Sequence, residues 1–201
     1  NCGYGMGAAK FQAQLKTFNV DLSADECTRI IQVYRATYPK IPELWKQAGQ
    51  ALKAIMNNLT CELGRPRILN VDGLKGIQLP NGLYLKYPNL RNQLNEQGKD
   101  EMVYDTKRGK AIIPNRIYGG KVVENVCQAL ARIVIGEQML NINKMYPVVM
   151  TVHDAVACIV PEADVEYAQQ YVEAAMRTRP TWAPDLPLNC EAGAGKTYGE
   201  C

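Results

Sequence analysis

Histidine occurs once in these 201 residues, at His153, which excludes a multi-histidine zinc site and any histidine pair built from this chain alone. The seven cysteines, Cys2, Cys27, Cys61, Cys127, Cys158, Cys190 and Cys201, are odd in number, widely spaced and free of any C-x-x-C. Neither a disulfide framework nor a structural zinc site is indicated, and reduced intracellular thiols are expected. No apolar run approaches the roughly 18 residues of a membrane span, and no charged-then-apolar leader is present, so no membrane partner is expected. Charge of one sign is also scarce: 23 Lys plus Arg against 20 Asp plus Glu leaves +3, too mild to identify a polyanion partner. What is present is an ordinary globular core, 47% hydrophobic, in a length that suits one large domain or two small ones. The chain opens on Asn1 and runs into Gly3-Tyr4-Gly5-Met6-Gly7, which suggests a fragment, a processed product or one half of a divided protein.

Three helices are expected first. Residues 8–18 alternate apolar Phe11, Leu15 and Phe18 with Lys10, Gln12 and Lys16; Ser23 with Glu26 is a capping-box signature for a helix reaching about Tyr38. Pro42 opens a third helix with Leu44, Trp45, Ala48, Leu52 and Ile55 on one face, fading at Asn57-Asn58. From Thr60 to Tyr118 short apolar pieces are broken by Gly, Pro and Asn: Arg67-Ile68-Leu69, Ile77-Gln78-Leu79, Met102-Val103-Tyr104 and Ala111-Ile112-Ile113. Asn81-Gly82, before Tyr84-Leu85, is a hairpin signal, and residues 91–100 read as an exposed loop. Residues 122–143 suit a long buried helix through Val122, Val126, Leu130, Val134 and Leu140, and residues 163–177 an amphipathic helix covering what precedes it. From Pro180 on the chain reads as irregular, with no repeat or low-complexity tract anywhere.

The stretch around which the chain is organised is Tyr146 to Pro161. Two β-branched runs, 148–152 and 155–160, meet at His153-Asp154, which reads as a tight hairpin with a carboxylate at its tip. An ionised Asp between core-grade strands would need a metal ion, an arginine or several backbone donors, whereas an ordinary turn Asp would need none; these residues alone leave both open. His153 is equally a turn histidine or a base. Gln128 lies within the apolar face of the long helix, where an unpartnered amide costs on the order of 1–3 kcal/mol, so it faces either a groove or a fixed structural partner. Lys107, Arg108, Lys110, Arg116 and Lys121 form a basic run, a solvated face or a phosphate contact. Gly193-Ala194-Gly195-Lys196-Thr197 resembles the end of a phosphate loop, but Cys190 stands where its first glycine belongs, so a surface tail is the expected reading. Gly3-Tyr4-Gly5-Met6-Gly7 has no preceding strand here and reads as a close-packed turn.

Five blocks then fall into one order: Tyr4-Gly5-Met6-Gly7 with Lys10-Phe11; Tyr34 and Tyr38-Pro39; Leu79-Pro80-Asn81-Gly82-Leu83-Tyr84-Leu85-Lys86-Tyr87-Pro88; Tyr118-Gly119-Gly120-Lys121-Val122-Val123-Glu124-Asn125-Val126-Cys127-Gln128-Ala129-Leu130-Ala131-Arg132; and Tyr146-Pro147-Val148-Val149 with Val152-His153-Asp154. Together they resemble the C-terminal fingers-and-palm portion of family A DNA polymerases, especially the phage type. The resemblance covers essentially the whole chain and includes Trp182-Ala183-Pro184-Asp185-Leu186-Pro187-Leu188.

The resemblance implies an α+β fold, with the helical end of the fingers in residues 1–60 and, in 61–201, a palm of antiparallel strands packed on helices. It implies that Asp154 is one of two carboxylates holding two Mg2+ ions, that His153 supports the primer backbone, and that Tyr4 stacks near the templating base. Gln128 would contact the minor-groove edge at the primer terminus, with Lys121, Arg116 and Arg132 toward DNA. Ala155 stands where family members often have Glu, and the first metal-binding Asp and the triphosphate-gripping helix lie upstream of Tyr4. The expected function is therefore primer extension by the C-terminal part of a DNA-templated DNA polymerase, with primer-template DNA, dNTP and an upstream polymerase portion as partners. The isolated chain is expected to be inactive, and the site is expected in a bacterial or phage-infected cytoplasm. Alternatives are a fragment of a single-subunit phage-type RNA polymerase and a non-catalytic DNA-binding remnant. Asn1-Cys2 also matches an intein splice junction, where the polymerase would be interrupted.

Overall fold

Ser23 and Glu26 close a reciprocal capping box: the Ser23 side chain accepts from the Glu26 backbone N–H at 3.2 Å, and Glu26 Oε2 accepts from the Ser23 backbone N–H at 3.1 Å. Two otherwise orphaned donors are thereby satisfied, which fixes where the second helix starts. In this computed structural model, residues 2–201 are described; Asn1, and with it the proposed splice junction, lies outside the described residues. The helices are α1 (Ala8–Thr17), α2 (Ala24–Thr37) and α3 (Lys40–Met56). α3 begins two residues before Pro42, whose missing N–H falls among the first four that have no partner within a helix. Ala48, Ala51 and Leu52 of α3 are fully buried, with Cys27 and Ile31 from α2. Phe18, expected on an apolar face, is instead exposed, and so is Val33 of α2.

Four short strands follow in an antiparallel sheet of order β1-β2-β3-β4: β1 (Cys61–Glu62), β2 (Asn70–Asp72), β3 (Gly76–Gln78) and β4 (Tyr84–Leu85). α3 packs on β1 and β2, with Val71 and Ile77 buried. The apolar piece at 67–69 is not a strand, since Arg67 takes a left-handed φ of 64° and turns the chain before β2. The expected hairpin at Asn81-Gly82 is present, built as a longer loop than a two-residue turn. Leu79 and Leu83 close it by backbone bonding at 2.8 Å, and Asn81 Oδ1 accepts from the Leu83 N–H at 3.1 Å.

A second sheet has the order β5-β6-β7, again antiparallel: β5 (Arg91–Leu94), β6 (Asp100–Arg108) and β7 (Ala111–Arg116). Residues 91–94, expected as loop, thus form a strand. β5 is an outer strand with Asn92, Gln93 and Leu94 exposed, so its polar sequence carries no hydrophobic alternation, and the pairing with β6 defines it. Pro114 is tolerated because β7 is the other outer strand.

The long helix α4 spans Gly119–Ile142. The chain forms two compact units, one ending at Cys127 and the other spanning Gln128–Cys201, so the change of unit falls within this helix. In the second unit Ile133, Val134, Ile135 and Ile142 are buried, while Leu140, expected inside, is 69% exposed. Helix α5 (Val165–Met176) packs on the last turns of α4: Gln138 Nε2 donates to the Met176 carbonyl, Tyr171 Oη donates to the Asn141 carbonyl at 2.9 Å, and the rings of Tyr171 and Tyr146 meet edge to face. The hairpin is β8 (Val148–Val152) and β9 (Ala155–Cys158). α5 covers only its base, where Tyr167 lines an open groove of about 730 Å³ with Met145, Tyr146, Pro147, Ile159 and Val160.

The glycines of the tail do not form a phosphate loop. Backbone N–H groups of Lys196 and Thr197 donate to the Glu200 carboxylate at 2.8 and 3.1 Å, and a single 3-10 turn, Tyr198–Glu200, is all that follows. No helix is long and apolar enough to cross a membrane among the described residues. All seven cysteines are free. Helices with antiparallel sheets make the fold α+β, as expected.

Candidate functional site

His153 and Asp154 form the two-residue turn between Val152 and Ala155, which are paired across the strands. His153 carries a left-handed φ of 53°, the kind of backbone conformation that lets a connection of two residues reverse the chain. The turn joins strands directly and sets the carboxylate at the outermost point. Asp154 and His153 are both exposed, and no hydrogen bond or ion pair reaches either among the described residues. The expectation of core-grade strands is corrected here: Val149 is 56% exposed, and Met150 and Val152 are exposed too. With solvent at the tip, Asp154 needs no partner on grounds of burial, so the argument from a buried charge falls away.

Gln128 and Arg132 lie four residues apart on α4, hence on one face, and both are exposed. The expectation that Gln128 is inside the apolar face is therefore corrected. The buried amide of this helix is Gln138, ten residues on, whose Nε2 is satisfied by Met176 while its Oε1 has no partner.

Tyr4 closes a 3-10 turn, Cys2–Tyr4, and two side chains hold that turn and the residues just after it. Trp45 Nε1 donates to the Gly3 carbonyl at 2.8 Å, Arg35 Nη2 donates to the Met6 carbonyl at 3.3 Å, and the Arg35 guanidinium lies 5.6 Å from the centre of the Trp45 ring. Gly5, with φ 84°, lets the chain leave this turn, and Gly119 and Gly120 let the first turn of α4 approach it. A β-carbon on Gly119 would strike the Trp45 carbonyl, and one on Gly120 the Tyr4 carbonyl. The Cys127 thiol beside Tyr4, helped by partial burial, raises its phenol above the ordinary value. Next to this turn an open recess of about 350 Å³ is lined by Gly5, Arg35, Trp45, Lys46, Tyr118 and the glycines. It combines aromatic faces with two cationic side chains.

Arg116 and Lys121 are occupied within the chain. Arg116 Nε meets Glu101 Oε2 at 3.0 Å with its guanidinium over the Tyr118 ring, and Lys121 Nζ meets Glu124 Oε1 at 2.9 Å. Both pairs are partly solvated, so they are weak and exchangeable. Of the seven expected residues, Tyr4, Arg116 and Lys121 belong to the first unit, and Gln128, Arg132, His153 and Asp154 to the second. Within each unit, no hydrogen bond or ion pair links any two of them among the described residues.

Cys127, Trp45 and Arg35 were not singled out from sequence as supports of Tyr4. Nor was the bond from Asn125 Nδ2 to Tyr87 Oη, 3.3 Å, which joins two of the five blocks and has no signal in the sequence, since order along the chain does not encode which side chains touch. A magnesium site fits these residues only in part. No group of three or more His, Cys, Asp or Glu that could hold a metal occurs among the described residues, and Asp154 stands as one carboxylate open to solvent.

The sequence is 32% identical over 184 residues to a protein of Bacillus phage SP02 described as a DNA polymerase, covering 89% of this chain and 28% of that one. The chain thus spans less than a third of that relative's length. No solved structure matches it. The profile of DNA polymerase family A matches residues 2–200, nearly every residue described above, and the chain belongs to that family.

Proposed function

We propose that this chain is the C-terminal part of a DNA-templated DNA polymerase, supplying the end of the fingers in residues 1–60 and the palm in 61–201, and working with an upstream portion. The observation that carries this reading is Asp154: a carboxylate with no partner among the described residues, held at the tip of a two-residue turn, in a family whose chemistry is nucleotidyl transfer. Asp154 contributes one ligand to a magnesium site that a carboxylate outside this chain completes. When bound, such ions neutralise charge developing on the transferring phosphoryl group. The exposed apolar residues of β8, Val149, Met150 and Val152, suit packing by strands of the upstream portion.

The other residues bind and orient. Gln128 presents two amide donors from an exposed helix face, matched to the minor-groove acceptors common to all base pairs. Arg132, on the same face, adds a cation. Tyr4 presents a ring whose backbone is fixed by Trp45, Arg35 and Gly120, which suits stacking against a templating base. His153 supports the primer backbone beside Asp154, and Arg116 and Lys121 exchange their carboxylate partners for phosphates. The reaction belongs in the cytoplasm of a bacterial or phage-infected cell.

The test is primer extension by this chain together with a polypeptide carrying the upstream portion of the polymerase. Magnesium-dependent dNTP incorporation is expected from the pair and none from this chain alone, with Asp154→Ala abolishing it while DNA binding persists. Near-normal turnover by Asp154→Ala, or preferential incorporation of ribonucleotides, overturns the assignment.

A further inference from the structure

The cations of the β5–β6–β7 sheet divide into two groups. Toward the base of the sheet the two strand arginines are neutralised: Arg91 Nη1 lies 2.8 Å from Asp105 Oδ1, and Arg116 Nε 3.0 Å from Glu101 Oε2. At the opposite end, where Arg108 pairs with Ala111 across the turn, Lys107, Arg108 and Lys110 are all exposed. None of the three has an acidic partner or a side-chain hydrogen bond among the described residues. They surround Gly109, whose φ of 62° makes the turn tight, and the register from Val103↔Arg116 to Arg108↔Ala111 holds that turn in place.

Three like charges this close repel one another and are compensated only by solution counterions. A polyanion with regularly spaced charges releases those counterions, and the gain is entropic and independent of sequence. The tip, Thr106-Lys107-Arg108-Gly109-Lys110-Ala111, carries no Asn, Gln or aromatic side chain with which to read or stack on bases, so it is built to position a backbone rather than to recognise one. We propose that the β6–β7 tip is a separate DNA contact that grips phosphates through Lys107, Arg108 and Lys110, additional to the residues placed at the primer terminus. This rests on the polymerase reading for the identity of the polyanion. Ile112, 65% exposed and paired with Lys107, marks the competing occupant, an acidic peptide that also has an apolar side chain.

The experiment uses the polymerase containing this chain, with Lys107, Arg108 and Lys110 all replaced by Gln. Affinity for a primed template, a blunt duplex and a single strand is measured across roughly 50–200 mM KCl, where salt sensitivity reports phosphate neutralisation. On duplex DNA the slope of log affinity against log salt should become shallower by about 2 to 3, at ~0.9 for each phosphate left without its cation, with binding weakened roughly tenfold or more at the lower salt. The single-strand and duplex arms show which form of DNA the tip holds. An unchanged slope in all three arms overturns the proposal, as does a variant that loses only the ability to bind polyglutamate. Should the unaltered protein fail to extend a primer, it is the polymerase reading that falls, whereas normal extension with an unchanged slope removes the tip's role alone.

Discussion

The backbone carbonyl of Tyr4 lies against the α-carbon of Gly120, in the space that a β-carbon at position 120 would occupy. The turn carrying the proposed base-stacking ring is therefore seated on the first turn of α4 by main chain, not by side-chain packing. Close-packed backbone has no rotamer with which to adjust, so the ring inherits the position of the helix.

Gly120→Ala should consequently destabilise the first unit by about 1–3 kcal/mol through overpacking, whereas Gly136→Ala, also on α4 but with open space around the new methyl, should stabilise by up to ~1 kcal/mol. Chemical denaturation of the two variants checks this. Equal and opposite signs are not required, but a stabilising Gly120→Ala would mean that the Tyr4 turn yields freely.

Asp105 gives an acid-side prediction. Hydrogen bonds from Asn89 at 2.9 Å and from Arg91 at 2.8 Å hold its carboxyl below the ordinary 3.8. A depressed folded value means stability that is fully present above the unfolded pKa and is lost as pH falls through the folded one. Asp105→Asn should therefore lower the melting temperature at pH 7, with the gap to the unaltered protein constant down to about pH 5 and closing at lower pH. A gap that persists unchanged at the acid end would assign the stabilisation to shape rather than charge.

Gln128→Ala removes donors from an exposed position, so thermal stability should hardly change, within about 0.5 kcal/mol. In the polymerase assembled with its upstream portion, extension from a paired primer end should slow, and discrimination against a mismatched terminus should weaken. Normal mismatch sensitivity would return Gln128 to the surface of α4 with no role in the primer contact.

Much is legible in the chain because it is governed by local chemistry. The Ser23 capping box, the Asn81-Gly82 loop and the His153-Asp154 turn follow from a few neighbouring residues whose side chains bond their own backbone or permit one sign of φ, and each appears where the pattern puts it. The order of the five blocks points to the family without any coordinate. Tertiary structure decided the rest. Residues 91–94 became a strand only because β6 offered a partner, Leu140 and Gln128 turned outward because helical periodicity fixes a stripe but not how wide the neighbour covering it is, and Gln138 was drawn inside by a carbonyl of α5. The sequence alone determined that Asp154 would stand at a turn. Its freedom from any partner, like that of the three cations at the β6–β7 tip, emerged only from where the surrounding acidic and basic side chains came to rest, since pairing depends on distances of a few ångströms between residues far apart in the chain.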